Sequence, residues 1–149
     1  MFRGRFEHSF DEKGRIAIPS KFRELILDRS SEATIVVTNF DQCLAAYSLH
    51  QWEELERKIS HLPQFDPTIS SFLRYFVSGA TECPLDKAGR ILIPAPLRSI
   101  AGIDRDCVFI GQLTKFEIWS GARWASEFDK LATGFVGFGA KMTELGIQL

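Results

Sequence analysis

The sequence predicts an α+β fold built from two copies of one small module, related by a pseudo-twofold axis, with helices at the periphery. Three observations predict it: an internal repeat, short segments that alternate apolar and polar residues as strands do, and apolar stripes with helical spacing after them. The 149 residues are 45% hydrophobic and 25% charged, a composition typical of a globular domain. Because each copy has only about 45 residues, we expect the two to share one core.

The internal repeat is carried by one motif. Residues 11–23 read DEKGRIAIPSKFR and residues 86–98 read DKAGRILIPAPLR, with seven of thirteen positions identical. Unrelated segments would match at roughly one position in fifteen to twenty. Further along, residues 43–52 align with residues 115–124 and pair an aromatic residue, a serine and a tryptophan. We interpret the chain as a duplicated module.

Each motif predicts two short strands joined by a three-residue loop. The loops are Glu12-Lys13-Gly14 and Lys87-Ala88-Gly89, and such a loop favours glycine where the backbone turns left-handed. Asp11 and Arg15 flank the first loop, and Asp86 and Arg90 flank the second. We therefore expect a carboxylate–guanidinium bond across the neck of each hairpin.

The other elements follow in the same order in both copies. Pro19 and Pro94 end a strand and begin a helix, and further strands are predicted at 34–37, 43–47, 107–110 and 116–119. Ser48 and Gln51 resemble a capping box, which predicts a helix that starts there and ends before Pro63. A further helix is predicted at 69–77, and GFVGFG (134–139) is predicted to be a flexible tail element. The expected division is a first module at 5–52, a helical linker at 53–80, a second module at 81–124, and a C-terminal helix and tail at 125–149.

Several classes of protein are not expected. The sequence has no apolar signal-peptide core and no run of roughly 20 apolar residues that would cross a membrane. Its three cysteines, Cys43, Cys83 and Cys107, are widely separated, which argues against a disulfide framework and a local zinc site. We expect a cytoplasmic protein with reduced thiols, without a metal, a cofactor or a small-molecule substrate. No nucleophile–base set is suggested by the spacing, so an enzyme is not expected.

The charge is nearly balanced but unevenly distributed. The net charge is −1, yet residues 1–29 carry seven Lys or Arg against five acids, whereas the remaining 120 residues carry eleven against fourteen. An anionic partner would have to be bound by a local patch.

The repeated D-x-x-G-R-I-x-I-P-x-x-[LF]-R motif resembles the SpoVT/AbrB-type DNA-binding module. Two copies behind an MFRG start resemble the MraZ family of bacterial transcriptional regulators. The resemblance implies tandem halves of an AbrB-like swapped-hairpin β-barrel. It also implies a nucleoid-associated repressor that forms closed rings. Its DNA sites would be short direct repeats upstream of the division and cell-wall gene cluster, which includes its own gene.

The candidate site residues lie in and around the two loops. Arg15 and Arg90 are expected to reach base edges, Lys13 and Lys87 to contact phosphates, and Asp11 and Asp86 to orient the arginines. Gly14 and Gly89 shape the loops. Weaker candidates for DNA contact are Arg3, Arg5, Lys21, Arg23 and Arg98. The alternative for each Asp–Arg pair is that it only holds the turn.

The weak charge also bears on assembly. Few counterions would be released per subunit, so strong DNA binding would need several modules on one DNA segment. The sequence therefore predicts an oligomer larger than a dimer. A second hypothesis uses the same residues: a ring-forming protein-interaction module whose cationic loops dock an acidic protein partner.

Overall fold

The computed structural model describes residues 1–29 and 33–149. Its strands are β1 (Arg5–Ser9), β2 (Arg15–Ala17), β3 (Thr34–Asn39), β4 (Leu44–Ser48), β5 (Thr81–Pro84), β6 (Arg90–Leu92), β7 (Asp106–Gln112) and β8 (Lys115–Ser120). Its helices are α1 (Ser20–Arg29), α2 (Leu49–Ser60), α3 (Pro67–Phe72), α4 (Ala95–Ile100) and α5 (Gly121–Glu144). Each repeat therefore contributes two strands, a helix, two more strands and a second helix.

The strand order shows the pseudo-twofold relation between the repeats. One sheet has six strands in the order β1-β7-β8-β4-β3-β5, and β2 and β6 form a separate two-stranded ribbon. When each strand is replaced by its counterpart in the other repeat, the same order is obtained from the opposite edge. All pairings between repeats are antiparallel and join β1 to β7, β2 to β6, β3 to β5 and β4 to β8.

The expectation of two local hairpins is wrong in one respect. The turn around Gly14 is present, but β1 pairs with β7 and β2 pairs with β6, so the strands beside each loop take their partners from the other repeat. A three-residue strand such as β2 would bury little apolar surface if it paired only with the neighbouring strand of its own repeat. Pairing between repeats places Ile16 opposite Ile91, both 1% exposed in the common core. Across residues 1–29 and 33–149 the strands form a sheet and a ribbon, and no closed barrel is found.

One hydrophobic core serves both repeats, as predicted. Its largest fully buried side chains come from α1, the ribbon and one face of the sheet, and include Phe22, Ile16, Ile91, Phe109 and Phe116. Phe22 lies 5.0 Å from Phe116 between ring centroids. Neither repeat can complete this core alone, because the buried residues interdigitate across the pseudo-twofold axis.

The opposite face of the sheet carries a second, aromatic layer. Tyr47, Trp52 and Phe76 are buried together where α2 and the segment after α3 cover the first repeat. Ser48 caps α2, as predicted, by accepting a hydrogen bond from the Gln51 N–H at 3.3 Å. The predicted helix at 69–77 begins two residues earlier, at Pro67 after the Asp66 cap, and ends as a π-helical turn over Leu73–Val77.

The C-terminal region differs from the prediction of a flexible glycine element. GFVGFG (134–139) lies inside α5, which runs for 24 residues to Glu144. Aromatic and aliphatic side chains recur along α5 at helical spacing, and this pattern outweighs the weak helix propensity of three glycines. Neither α5 nor any other helix within the described ranges is long and apolar enough to cross a membrane.

Candidate nucleic-acid interface

The first loop is closed by backbone bonds and shaped by Gly14. The Asp11 N–H donates to the Arg15 carbonyl at 2.9 Å, and the Gly14 N–H donates to the Asp11 carbonyl at 3.1 Å. Gly14 has φ +81°, a left-handed conformation that costs an L-residue about 1–2 kcal/mol. The predicted glycine geometry is therefore confirmed.

The Asp11 carboxylate holds the loop and the arginine together. Its Oδ1 accepts hydrogen bonds from the backbone N–H groups of Lys13 and Arg15, both at 2.9 Å, and its Oδ2 accepts from Arg15 Nε at 2.7 Å. The predicted bond across the neck is thus present. A single carboxylate fixes both the turn and the direction of the guanidinium.

The second loop repeats this geometry. Asp86 Oδ1 accepts from the backbone N–H groups of Ala88 and Arg90, both at 2.9 Å, and Asp86 Oδ2 accepts from Arg90 Nε at 2.9 Å. Gly89 has φ +75°. Because the same three carboxylate hydrogen bonds and the same left-handed glycine occur in both loops, the arrangement is a property of the motif.

Both carboxylates are held ionised by the loops. The hydrogen bond from the Arg15 backbone N–H is the main cause that lowers the pKa of Asp11, and the Arg15 side chain lowers it further. The pKa of Asp86 is lowered by the same contacts from Arg90. Hydrogen bonds to the charged form have this effect in any carboxyl group.

The arginines keep their outer edge open. Only Nε of Arg15 and of Arg90 is bonded to aspartate, and among residues 1–29 and 33–149 we find no hydrogen bond from their terminal Nη atoms. Their side chains are 34% and 36% exposed. The open edge is the one that presents two parallel N–H donors to a planar acceptor pair.

The ribbon brings the two arginines onto one face. In its register Arg15 lies opposite Leu92 and Ala17 lies opposite Arg90. Since side chains alternate, these four residues share the outer face, while Ile16 and Ile91 point into the core. Strand spacing places the two arginine Cα atoms about 8 Å apart. Leu92, which is 57% exposed, is part of this face and was not identified from sequence, although its alternation with the buried Ile91 indicates it.

Arg23 and Arg98, two of the weaker candidates for DNA contact, each pack against one of the loops. A Cβ added to Gly89 would lie 2.9 Å from Arg23 Cζ, and one added to Gly14 would lie 3.1 Å from Arg98 Cζ. Arg23 Nη1 also donates to the Ala88 carbonyl at 3.5 Å. Each arginine therefore packs against the loop of the other repeat, because the exchanged strands bring α1 beside the second loop and α4 beside the first.

Backbone hydrogen bonds connect the same two loops. The Ile93 N–H donates to the Gly14 carbonyl at 3.1 Å, and the Ile18 N–H donates to the Gly89 carbonyl at 3.0 Å. Each glycine loop is thus fixed to the strand end that follows the other loop. The two loops form one structural unit.

The other basic candidates have different surroundings. Arg5 lies over the Phe128 ring, 4.8 Å from its centroid. Arg3 and Lys21 line a cavity of about 790 Å³ beside α1, together with Met1 and Leu27. The contacts that position the two loops do not include these three basic residues.

One family of known proteins matches this chain over the residues of both loops. The sequence pattern of a family described as "MraZ protein, putative antitoxin-like" matches residues 1–75 and again residues 76–135. The chain belongs to the MraZ family. MraZ-family relatives named "Transcriptional regulator MraZ" include those of Halothermothrix orenii (40% identical), Desulfitobacterium hafniense strain DCB-2 (42%) and Acetivibrio thermocellus (43%). Each alignment spans 99% of this chain and 100% of the relative.

The two MraZ matches meet inside the π-helical turn at Leu73–Val77. Each match contains one complete loop, but the charge of the loops differs. The first carries Glu12 and Lys13 where the second carries Lys87 and Ala88. Counted with the flanking Asp and Arg, the first loop of this MraZ-family chain is neutral and the second has one positive charge.

Proposed function

We propose that this chain is a sequence-specific DNA-binding transcription regulator of the cytoplasm and nucleoid. In this proposal it represses the division and cell-wall gene cluster that includes its own gene. The names of its relatives, at 40–43% identity over nearly the whole chain, support a role in transcription. The outer face of the β2–β6 ribbon is the DNA-contacting surface.

The observation that carries the proposal is the pair Arg15 and Arg90 on one ribbon face, each with its Nη edge open. The major groove admits a two-stranded β-ribbon, and arginine binds guanine O6 and N7 with two parallel donors. Leu92, beside Arg15 in the register, suits a thymine methyl group. Lys13 and Lys87 at the loop tips would contact phosphates without reading sequence.

The aspartates favour specific binding by preorganising the arginines. Immobilising a flexible side chain in a complex costs about 0.5–1.5 kcal/mol. In Asp11–Arg15 and Asp86–Arg90 part of this ordering is present before DNA arrives. The carboxylate also fixes which edge of the guanidinium faces outward. It therefore sets the direction of the arginine's hydrogen bonds as well as lowering the entropic cost of binding.

The assembly we propose is a closed ring larger than a dimer, bound to short direct repeats. Each ribbon has few net positive charges, so one subunit would bind weakly at physiological salt. Subunits related by a rotation present the same face in succession, which matches direct repeats, whereas a twofold dimer matches a palindrome. Several weak contacts on one DNA segment then give strong binding.

The test is a gel shift on the DNA upstream of the gene, with scrambled DNA of equal length as control. We expect wild-type protein to prefer the natural sequence, and binding to collapse when the site is cut to one repeat. Arg15→Ala should abolish the preference for natural over scrambled DNA. Lys13→Ala should instead weaken binding to both DNAs by a similar factor. Equal binding of the natural and scrambled DNA by wild-type protein would reject specific regulation.

A second candidate is favoured by one observation, the exposure of Leu92 between cationic side chains. An apolar residue on the same face as two arginines also suits an acidic protein partner, so the alternative is that the ribbon face is a protein-docking site of a ring-forming module. The gel shift with wild-type protein distinguishes the two. Under the DNA proposal the natural DNA is shifted in preference to scrambled DNA; under the docking hypothesis the natural DNA gives no specific shift.

A further inference from the structure

The β2–β6 ribbon has a local twofold axis. Its strands are antiparallel, and Ile16 lies opposite Ile91, its counterpart in the other repeat, so the axis runs between these two residues and perpendicular to the ribbon. Arg15 and Arg90 lie at equal distances on either side of this axis. The two glycine loops lie at opposite ends of the ribbon, because each loop directly precedes one of the two antiparallel strands.

The outer face of the ribbon breaks this symmetry at one pair of positions. Two residues after each arginine, the first repeat has Ala17 and the second has Leu92. Leu92 is 57% exposed, whereas Ala17 is half-buried. In the register Leu92 lies opposite Arg15, and Ala17 lies opposite Arg90. One arginine therefore has a large apolar neighbour across the ribbon, and the other has a single methyl group.

The two loops also differ, but their difference is one of charge. The first loop has Glu12 and Lys13 where the second has Lys87 and Ala88. Phosphates line a groove on both of its sides, and contacts to them carry no sequence information. Exchanging the two ends of the ribbon would therefore leave the number of phosphate contacts unchanged. Direct discrimination between the two orientations falls to side chains that reach base edges.

We infer that Leu92 fixes the orientation of the ribbon on its DNA site. For a strictly twofold ribbon the two directions on an asymmetric site would be equivalent, and its preferred site would be a palindrome. With Leu92 opposite Arg15, one end of the site is read as a guanine beside a thymine methyl group. At the other end Ala17 is shorter and half-buried, so the guanine is read alone. The preferred site is then asymmetric, and the protein lies on it in one direction.

The inference rests on the proposed function and gives the bound ribbon a direction. Direct repeats require every ribbon on the DNA to point the same way, because neighbouring sites have the same sequence on the same strand. The difference in affinity between the two directions comes from the base that Leu92 contacts. A mismatched base pair lowers affinity by about 5-fold to 150-fold. We expect the lower end of this range, about 5-fold, because the contact is a single apolar one.

The experiment reads the direction from a cleavage probe on one loop. The native cysteines are each 1% exposed, so Ala88→Cys, at the exposed tip of the second loop, can be labelled selectively with an iron–EDTA reagent. The DNA is the region upstream of the gene, end-labelled on one strand. We expect the label to cut one side of each repeat about 5-fold more strongly than the other. The same label at Glu12→Cys, in the first loop, should cut mainly at the opposite side.

Substitutions on the outer face should then change the direction. Leu92→Ala makes this face twofold, so the labelled protein should cut both sides of each repeat about equally. The exchange variant Ala17→Leu/Leu92→Ala keeps the same side chains in reversed positions, and its cleavage should move to the other side. Should the exchange variant not fold, Leu92→Ala, which truncates an exposed side chain, decides by itself. Leu27→Ala is the matched control and should cut as the native ribbon does, because Leu27 is similarly exposed, at 56%, but lies on α1.

The outcomes separate this inference from the proposed function. Unchanged one-sided cleavage in Leu92→Ala or in the exchange variant would overturn the role of Leu92 while leaving sequence-specific binding intact. Equal cleavage on both sides by the native ribbon would overturn it as well, because the protein would then have no fixed direction. A gel shift that is equal for natural and scrambled DNA would instead reject the proposed function, and the inference with it. Reversed cleavage in the exchange variant would support both.

Discussion

Arg98 of the second repeat packs on Gly14 of the first, so that a Cβ at Gly14 would lie 2.8 Å from Arg98 Nη2. Arg23 has the same relation to Gly89. The motif residue that ends each IPxxxR segment therefore acts on the other copy of the motif. Each loop is packed by a helix that follows the other loop.

Replacing Gly14 by alanine should destabilise the protein. The left-handed φ of +81° disfavours any Cβ, and Arg98 would also have to move. We expect the free energy of unfolding to fall by about 1–3 kcal/mol, measured by urea denaturation. Gly137→Ala is the control: it lies in α5 with nothing within 4 Å of the new Cβ, and it should raise stability by about 0.5–1 kcal/mol. Equal effects of the two substitutions would contradict this account.

Asp11 and Asp86 should contribute to stability at neutral pH and lose that contribution in acid. Their pKa values are lowered in the folded state, mainly by backbone N–H donors. The stabilisation is therefore complete above the ordinary carboxyl pKa of 3.8 and is lost as pH falls below it, through the lowered folded pKa.

Asp11→Asn/Asp86→Asn should accordingly flatten the acid limb of a plot of unfolding free energy against pH. Asp129→Asn, which removes an exposed carboxylate from α5, is the matched control and should leave that limb unchanged. A double variant with the wild-type acid limb would show that the loop carboxylates are not held as described.

Arg15→Lys should fail to restore the specific binding lost in Arg15→Ala. Lysine keeps the positive charge but lacks the fork that reaches two acceptors and the Nε that Asp11 holds. We expect the preference for natural over scrambled DNA to fall by between about 5-fold and 150-fold, which corresponds to 1–3 kcal/mol. Lys13→Ala should leave this ratio unchanged and reduce the salt slope by about 1. Full rescue by lysine would show that Arg15 binds a phosphate.

Arg23→Ala should weaken DNA binding through the second loop without removing a phosphate contact. Its removal leaves Gly89 and the Ala88 carbonyl without their packing partner. We expect faster hydrogen exchange at the Ile18 amide, which donates to the Gly89 carbonyl, together with an unchanged salt slope. A reduced slope with unchanged exchange would identify Arg23 as a direct DNA contact instead.

Much of this architecture could be predicted because it is encoded locally. The Gly14 turn, the Asp11–Arg15 bond and the Ser48 cap each depend on residues within a few positions of one another. The pairing partners could not be predicted in this way. The two repeats carry nearly the same apolar pattern, so local alternation does not tell whether β2 joins its own repeat or the other.

The same reason explains the roles of Arg23 and Arg98. Their packing follows from strand exchange, which is a long-range property of the chain. The helical state of the 134–139 segment had a readable signal, the alternating four- and three-residue spacing from Trp124 to Met142. The three glycines led to the prediction of a flexible segment instead, because glycine has a low intrinsic helix propensity.

The pairing of β2 with β6 and of β1 with β7 also sets a time order during synthesis. A nascent chain ending at residue 75 has one loop but neither strand that fixes it, since Arg90–Leu92 and Asp106–Gln112 have not yet been made. The ribbon face forms only after Arg90–Leu92 leaves the ribosome, and β1 finds its partner later still, once Asp106–Gln112 has been made. A product truncated before Arg90 would therefore lack the ribbon face, so under the proposed function only molecules that contain both repeats could bind DNA.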